Sequence, residues 1–479
     1  MTTIIGRKEE QETLWNLFHS NQAELVAVYG RRRVGKTFLI REVFKENFCF
    51  YHTGVSPLEI SGKKLAQRQL IAFATSMERY GADVDKVPED WFQAFYMLEK
   101  FLKPKLQEGR QVVFIDELPW MDTPKSGFIT AFESFWNGWA SGQENLMLIV
   151  CGSATSWMIS NLVNSHGGLY GRVTREIQLS PFTLKETKAF FDSKGLVFSN
   201  YDIVQAYMAV GGIPFYLNYF ERGKSIAQNI DSLFFASKAP LKNEFQRLFS
   251  SLFINPEKYI AVVKMLSARH KGYSRDEISQ KQKLQGRALS EVLSVLQMSD
   301  FVICYQPFEN GKRQLMYKLK DNFCLFYLYF CADNQINDSS FWCNNQLSPA
   351  ISSWRGIAFE EICMAHVEDI KKALGVSGVT SRQSVWTLQG DEDGNGTQVD
   401  LIIERSDSVV SLCEMKFYKS EFEVDKEYDR KLRNRVELVQ RYLNKTQVIH
   451  LTLVTTLGLK YNMYSGVFQK LVTIDDLMV

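Results

Sequence analysis

The chain of 479 residues is 45% hydrophobic and 23% charged, a globular balance in a length too great for one core, so disorder is excluded and three or four domains are expected. A net charge of +2 excludes a whole-molecule field that would attract nucleic acid, and leaves any such binding to a local patch. The eight cysteines show no CxxC spacing, the opening MTTIIGRKEE meets charge at once, and no apolar run reaches the ~18 residues of a membrane helix; a soluble cytoplasmic protein with no membrane partner is expected.

The segment ELVAVYGRRRVGKTFLIREVF reads as an apolar strand, a glycine-bounded loop and a helix. Gly30, Gly35, Lys36 and Thr37 match GxxxxGK[ST] between a strand and a helix, the context that gives the motif its meaning. Its glycines let backbone N–H groups wrap phosphates at a helix N-terminus, Lys36 reaches the β- and γ-phosphates, and the Thr37 hydroxyl ligates Mg²⁺. ATP with Mg²⁺ is therefore the expected cofactor pair. A loop that already has Lys36 and a helix dipole needs no further cations for affinity, so Arg31, Arg32 and Arg33 are read as contacts to a partner or substrate. Together with Val34 and Phe38 they complete the predicted nucleotide-binding stretch.

A second strand, QVVFIDELPW, delivers Asp116 and Glu117 to its carboxyl end, where α/β sheets bind ligands. Asp116 is expected to hold Mg²⁺ through water and Glu117 to act as general base on the attacking water. A third, LMLIVCGSATSWM, ends at Ser153, which either senses the γ-phosphate or belongs to an ordinary strand-to-helix turn. In LYGRVTREIQLSPF, Arg172 and Arg175 are candidates for neutralising the transition state, with a surface salt bridge as the plainer reading of each.

These stretches, with IIGRKEEQETL before them and GGIPFYL after them, resemble in sequence and order the archaeal-type ATPases of the AAA+/STAND group of P-loop NTPases, over roughly residues 1–330. The resemblance implies that Ile5, Gly6 and Arg7 lie near the adenine and that Gly211, Gly212, Ile213 and Pro214 belong to a helical lid over the nucleotide. By pattern alone, GGIP says only that a helix stops.

Residues 181–248 read as the helical lid and 249–333 as a winged helix: three short amphipathic helices, then two strands around an Asn310–Gly311 hairpin signal. Residues 269–287 hold six Arg/Lys against two acids. DNA contact through this face, or packing of the module on the nucleotide domain, are both open readings.

A last domain is expected over 350–479. It opens with the helix WRGIAFEEICMAHVEDIKKAL, in which Glu360 lies within an apolar side, and continues with GTQVDLIIERSDSVVSLCEMKF. Glu414 and Lys416 are two apart and share a face. A three-residue turn at Ser406–Asp407–Ser408 would set Asp400 opposite Glu414, about 5.5 Å apart at Cβ. Carboxylates so close repel unless a cation lies between them, and Mg²⁺ prefers oxygen ligands. Lys416 could then steady a phosphate or a water, and Glu360 complete the shell. A structural ion-pair cluster, Asp400–Lys416–Glu414, is the alternative.

This layout resembles the PD-(D/E)xK nuclease superfamily, with Val399 where a proline is usual, and the resemblance implies metal-dependent phosphodiester cleavage. The following helix, DRKLRNRVELVQRYLNK, reads as a solvated basic face or as one turned to DNA. The expected fold class is thus multidomain α/β: a core over 1–180 with a P-loop parallel sheet, a lid, a winged helix and a restriction-endonuclease-like domain. The expected function is an ATPase coupled to a nuclease-like effector, with a nucleotide-switched interaction protein, or a DNA-binding ATPase whose C-terminal domain is inactive, as the alternatives; an oligomer is compatible with the chain but not predicted.

Overall fold

In the computed structural model, residues 4–57, 62–153, 155–163, 167–253, 255–308, 315–332, 336, 338–388 and 397–479 are described. The chain divides into two units, Met1–Pro181 with Leu248–Pro256, and Phe182–Arg247 with Glu257–Val479.

The first unit is built on strands β1 (Glu24–Tyr29), β2 (Phe48–Thr53), β3 (Gln111–Asp116), β4 (Leu146–Gly152) and β5 (Arg175–Gln178). Their order is β2-β3-β4-β1-β5 and every neighbouring pair is parallel. Every residue of β1 and β4 is buried, which is why these strands read as unbroken apolar runs rather than alternating ones. The aromatic richness goes into covering the sheet. Trp91 and Phe95 on the helix Trp91–Gln107 meet Phe128 and Phe132 on the helix Phe128–Gly138 edge-on or tilted. Each such buried ring contributes about 1.5–3 kcal/mol. In this order β4 lies between the strand that feeds the phosphate loop and the strand that ends in the acids.

The second unit starts with the helices Leu184–Ser193, Asn200–Val210 and Pro214–Leu217. A capping box fixes the first of them: Thr183 accepts from the Glu186 N–H and Glu186 accepts from the Thr183 N–H. The helix Glu257–Ser267 is followed by β6 (Tyr273–Ser274), the helices Arg275–Gln282 and Gly286–Met298, β7 (Val302–Tyr305) and β8 (Met316–Leu319). These strands form an antiparallel sheet in the order β6-β8-β7. The Asn310–Gly311 hairpin signal lies outside the described residues.

The third sheet has the order β13-β12-β11-β10-β9, from β9 (Ser381–Leu388), β10 (Thr397–Arg405), β11 (Val409–Lys416), β12 (Val448–Thr455) and β13 (Lys470–Thr473). It is antiparallel through β9, β10 and β11, and parallel through β11, β12 and β13. The helix Lys426–Gln440 supplies the crossover that a parallel β11–β12 pair requires. The single helix expected across 354–374 is two, Pro349–Ala365 and Val367–Ala373. His366 parts them: its Nδ1–H donates to the Ile362 carbonyl, and its Nε2 accepts the Leu184 N–H at 3.0 Å, so the ring serves another segment instead of continuing the helix face.

Candidate functional sites

The phosphate loop leaves β1 at Gly30 with φ 140°, and a Cβ there would lie 2.3 Å from the Leu179 carbonyl oxygen. Only glycine satisfies both the angle and the space. Gly35, at φ 95°, opens the helix Lys36–Phe44, and Arg33 is also left-handed, at φ 74°. The Lys36 ammonium donates to the Gly30 and Arg31 carbonyls, 2.9 Å each, and so spans the loop it belongs to. Val34 and Arg31 are buried, Arg32 and Arg33 half-buried, and Phe38 is exposed. Arg31 therefore does not lie on the surface, where a partner contact would need it.

Arg7 holds this loop from outside. Ile5 is half-buried; Gly6 and Arg7 are both left-handed, and the buried Arg7 guanidinium donates to the Ser180 carbonyl at 2.6 Å and to the Val34 carbonyl at 3.5 Å. Since the Leu179 N–H also donates to the Tyr29 carbonyl, residues 179–180 are tied to both ends of the loop.

At the carboxyl end of β3 the Asp116 carboxylate accepts the Thr37 hydroxyl at 2.9 Å. Burial chiefly, and then the neighbouring Glu117, raise its pKa above the ordinary value, with Thr37 pulling the other way. Glu117 sits in the left-handed region at φ 49°, ψ 45°, a conformation that costs a non-glycine residue about 1–3 kcal/mol and persists only where its surroundings impose it. They do so here. The Glu117 carboxylate accepts the Ser153 N–H at 3.1 Å and the Ser153 hydroxyl as well. A Cβ on Gly152 would come within 2.7 Å of Pro119, and one on Gly54 within 2.8 Å of the Glu117 carbonyl oxygen.

Thr37 and Asp116 thus present a hydroxyl and a carboxylate side by side, hard oxygen donors that fit Mg²⁺. Arg172 lies in the exposed turn before β5, and Arg175, also exposed, opens that strand level with Val26, whereas the loop begins after Tyr29. Gly211 and Gly212 form the stop after the helix Asn200–Val210, and Pro214 is the first residue of the next helix. The Phe182 N–H donates to the Gly212 carbonyl at 2.6 Å and the Tyr207 hydroxyl to the Phe182 carbonyl at 2.8 Å.

In the third sheet the β10–β11 register runs Leu401↔Cys413, Ile402↔Leu412, Ile403↔Ser411. The ladder ends at Leu401↔Cys413, next to an irregularity of β10 between Val399 and Ile402; continued by one step it would bring Asp400 level with Glu414, as a three-residue turn between Arg405 and Val409 predicts. Asp400 accepts the Met415 N–H at 3.1 Å. Glu414 is buried and already engaged at both oxygens: Oε1 faces Lys416 Nζ at 2.7 Å and accepts the Tyr428 hydroxyl at 2.5 Å, while Oε2 accepts Arg435.

Charge follows these contacts. Burial first, then Glu414 and Glu360, push Asp400 up to about 7. Burial would raise Glu414 too, but Lys416 and Arg435 outweigh it and hold the carboxyl below its ordinary range. Glu360 pairs with His270, and Glu361 pairs with Lys318 at 2.5 Å and with His270 at 3.2 Å. Burial lowers His270, yet the two carboxylates bring it up to about 9. Among the described residues no group of three or more His, Cys, Asp or Glu is arranged to hold a metal. Tyr428, Arg435 and His270 escaped the sequence reading as members of this cluster; Tyr428 and Arg435 are seven apart on one helix, a spacing that marks a shared face.

Residues 5–220 match a family model described as an ATPase domain predominantly from Archaea. An uncharacterized protein of Methanocaldococcus jannaschii is 22% identical over 424 residues, covering 86% of this chain and 87% of that one. An uncharacterized ATP-binding protein of the same organism is 54% identical over 44 residues, 9% of this chain and 73% of that protein. Among solved structures, a Walker-type ATPase of Pyrococcus abyssi aligns with a TM-score of 0.48 at 18% identity, over 68% of this chain and 96% of that one. No helix among the described residues is long and apolar enough to cross a membrane.

Proposed function

We propose, on the match of residues 5–220 to an archaeal ATPase domain, a Mg²⁺-dependent ATPase whose nucleotide state is passed through residues 179–182 to a nuclease-like C-terminal domain. The observation that carries the catalytic part is Glu117, held in a strained conformation with its carboxylate fixed by Ser153. Backbone N–H groups of the loop and Lys36 hold the phosphates. Thr37 and Asp116 would hold Mg²⁺, which supplies neutralising charge on the phosphates when bound. Water attacks the γ-phosphorus, its proton passes to Glu117, and the bond to the β–γ bridging oxygen breaks to give ADP and phosphate. The test is Glu117→Gln, which should bind ATP as before and turn it over slowly; unchanged turnover would place the base elsewhere.

The coupling part is supported by a run of contacts. Residues 179–180 are tied to the phosphate loop, and two residues on, Phe182 grips the Gly212 turn. Within the second unit, Tyr201 stacks on Phe417 with ring centroids 4.9 Å apart, and Phe417 directly follows Lys416. The Leu184 N–H donates to His366, and the Asn200 amide donates to Asp475 at 2.6 Å.

Residues 257–319 we read as a winged helix. Of the six basic residues in 269–287, Arg269 is engaged by Glu277 and Arg275 by Gly286 and Ser290. Of the other four, Lys271 is half-buried, and the exposed Lys281, Lys283 and Arg287 form the footprint for a nucleic-acid backbone. Lys283→Ala with Arg287→Ala should weaken DNA binding and lower its salt slope by about 2; an unchanged slope favours the interaction-protein reading.

A further inference from the structure

We propose that Arg435 is a built-in counter-cation of the C-terminal carboxylate site, standing where a divalent metal would bind Glu414, so that this domain keeps a nuclease-like framework without a metal centre. The inference rests on the nuclease-like reading of residues 350–479 and is independent of the ATPase reading.

Each acid of the expected metal shell has an internal partner. Glu414 offers a metal two oxygens, and both are taken, Oε1 by the Lys416 ammonium and the Tyr428 hydroxyl, Oε2 by the Arg435 guanidinium. Glu360 is held by His270 and Asp400 by the Met415 N–H. A dication entering here would have to displace the guanidinium while lying beside the Lys416 ammonium. Like charges this close repel strongly in a low-dielectric site, and a dication feels twice the repulsion of a monocation.

Arg435 is not a surface arginine that happens to swing inward. Asp425 caps its helix by accepting the Tyr428 N–H, and buried Leu432, Leu438 and Val439 seat it. Tyr428 and Arg435 therefore face Glu414 together, and the Arg435 side chain is 16% exposed. A guanidinium in this place does for Glu414 what a metal would do electrostatically, in that it offsets the charge of a buried carboxylate. It cannot generate a hydroxide nucleophile from water, which is the metal's part in cleavage. The domain then keeps the framework and lacks the metal-activated water that cleavage needs.

The test is Mn²⁺ titration of the full-length, nucleotide-free chain, followed by electron paramagnetic resonance. Wild type should show no Mn²⁺ site that Asp400→Asn removes. Arg435→Met should gain one, tighter by about a hundredfold or more, because a unit positive charge next to the ion is gone. Adding Asp400→Asn should abolish that site, and Arg435→Lys, which keeps the charge, should not create it; retained ATPase activity reports that the variants fold. A wild-type site lost in Asp400→Asn overturns the inference and leaves the nuclease-like reading standing. No site in either wild type or Arg435→Met overturns both, since the carboxylates would then form no metal framework at all.

Discussion

Glu117 and Ser153, brought together by neighbouring strands β3 and β4, share two hydrogen bonds: the Ser153 N–H donates at 3.1 Å, and the hydroxyl donates to the other carboxylate oxygen. The carboxylate is thereby aimed without being neutralised, which a general base needs. Glu117→Gln should lower kcat about 10²–10⁴-fold with ATP affinity kept, the usual worth of a positioned base. Ser153→Ala removes one donor and leaves the other, so kcat should fall about tenfold with KM for ATP nearly constant, matching one charge-assisted hydrogen bond. Steady-state ATPase kinetics decide both, and a Ser153→Ala effect confined to KM would count against the positioning role.

Gly30 packs its α-carbon against the Leu179 carbonyl, and a methyl group there would sit 2.3 Å from that oxygen. The oxygen belongs to backbone already tied to Tyr29 and, through Ser180, to Arg7, so it has no room to retreat. Gly30→Ala should abolish detectable ATP binding by calorimetry and lower stability by about 2 kcal/mol or more, combining overpacking with a disfavoured φ. Arg7→Ala should act more mildly, weakening ATP binding while the fold is kept, because it loosens the loop without invading it. Full nucleotide affinity in Gly30→Ala would mean that the loop backbone adapts.

Much of this was legible in the sequence wherever the signal is local. Strands β1, β3 and β4 announce themselves as apolar runs because both faces of the sheet are covered, and the loop glycines because their conformations tolerate no side chain. The β10–β11 pairing followed from counting a three-residue turn. The partners of the acids were not legible, because they come from far along the chain. His270 reaches Glu360 across 90 residues and Arg435 reaches Glu414 across 21. A basic helix looks solvated until its seating on Leu432 and Val439 shows which arginine turns inward. Arg7 was read by resemblance as an adenine neighbour; its hold on Val34 and Ser180 is a separate role that only the fold reveals.

Tyr201 and Phe417 give the coupling proposal a place to fail. Their rings are nearly parallel, at 19°, and Phe359 packs on the far partner at 5.5 Å. An aromatic pair contributes about 0.5–1.5 kcal/mol beyond its buried area. In hydrogen exchange on the full chain, a non-hydrolysable ATP analogue should change protection across residues 409–417 in wild type. Tyr201→Ala should reduce that change while nucleotide affinity stays the same. Equal responses in both proteins would show that nucleotide state does not travel by this stack.

Asp400 makes a prediction about pH. Burial, then the Glu414 and Glu360 charges, bring its pKa in the folded chain to about 7, against 3.8 ordinarily. Between those values the unfolded chain has already lost the proton that the folded chain still holds, so folded stability falls as pH rises from about 4 to 7 and is level above. Asp400→Asn never ionises and keeps an oxygen for the Met415 N–H. It should therefore be more stable than wild type at pH 8 by about 2–4 kcal/mol, with the advantage gone near pH 4. Opening free energies of β10 and β11 amides, from hydrogen exchange at several pH values, measure this directly. A variant that loses stability at pH 8 would mean that the Asp400 carboxylate is stabilised as an anion by Lys416, and that the site holds its acids charged rather than tolerating one of them neutral.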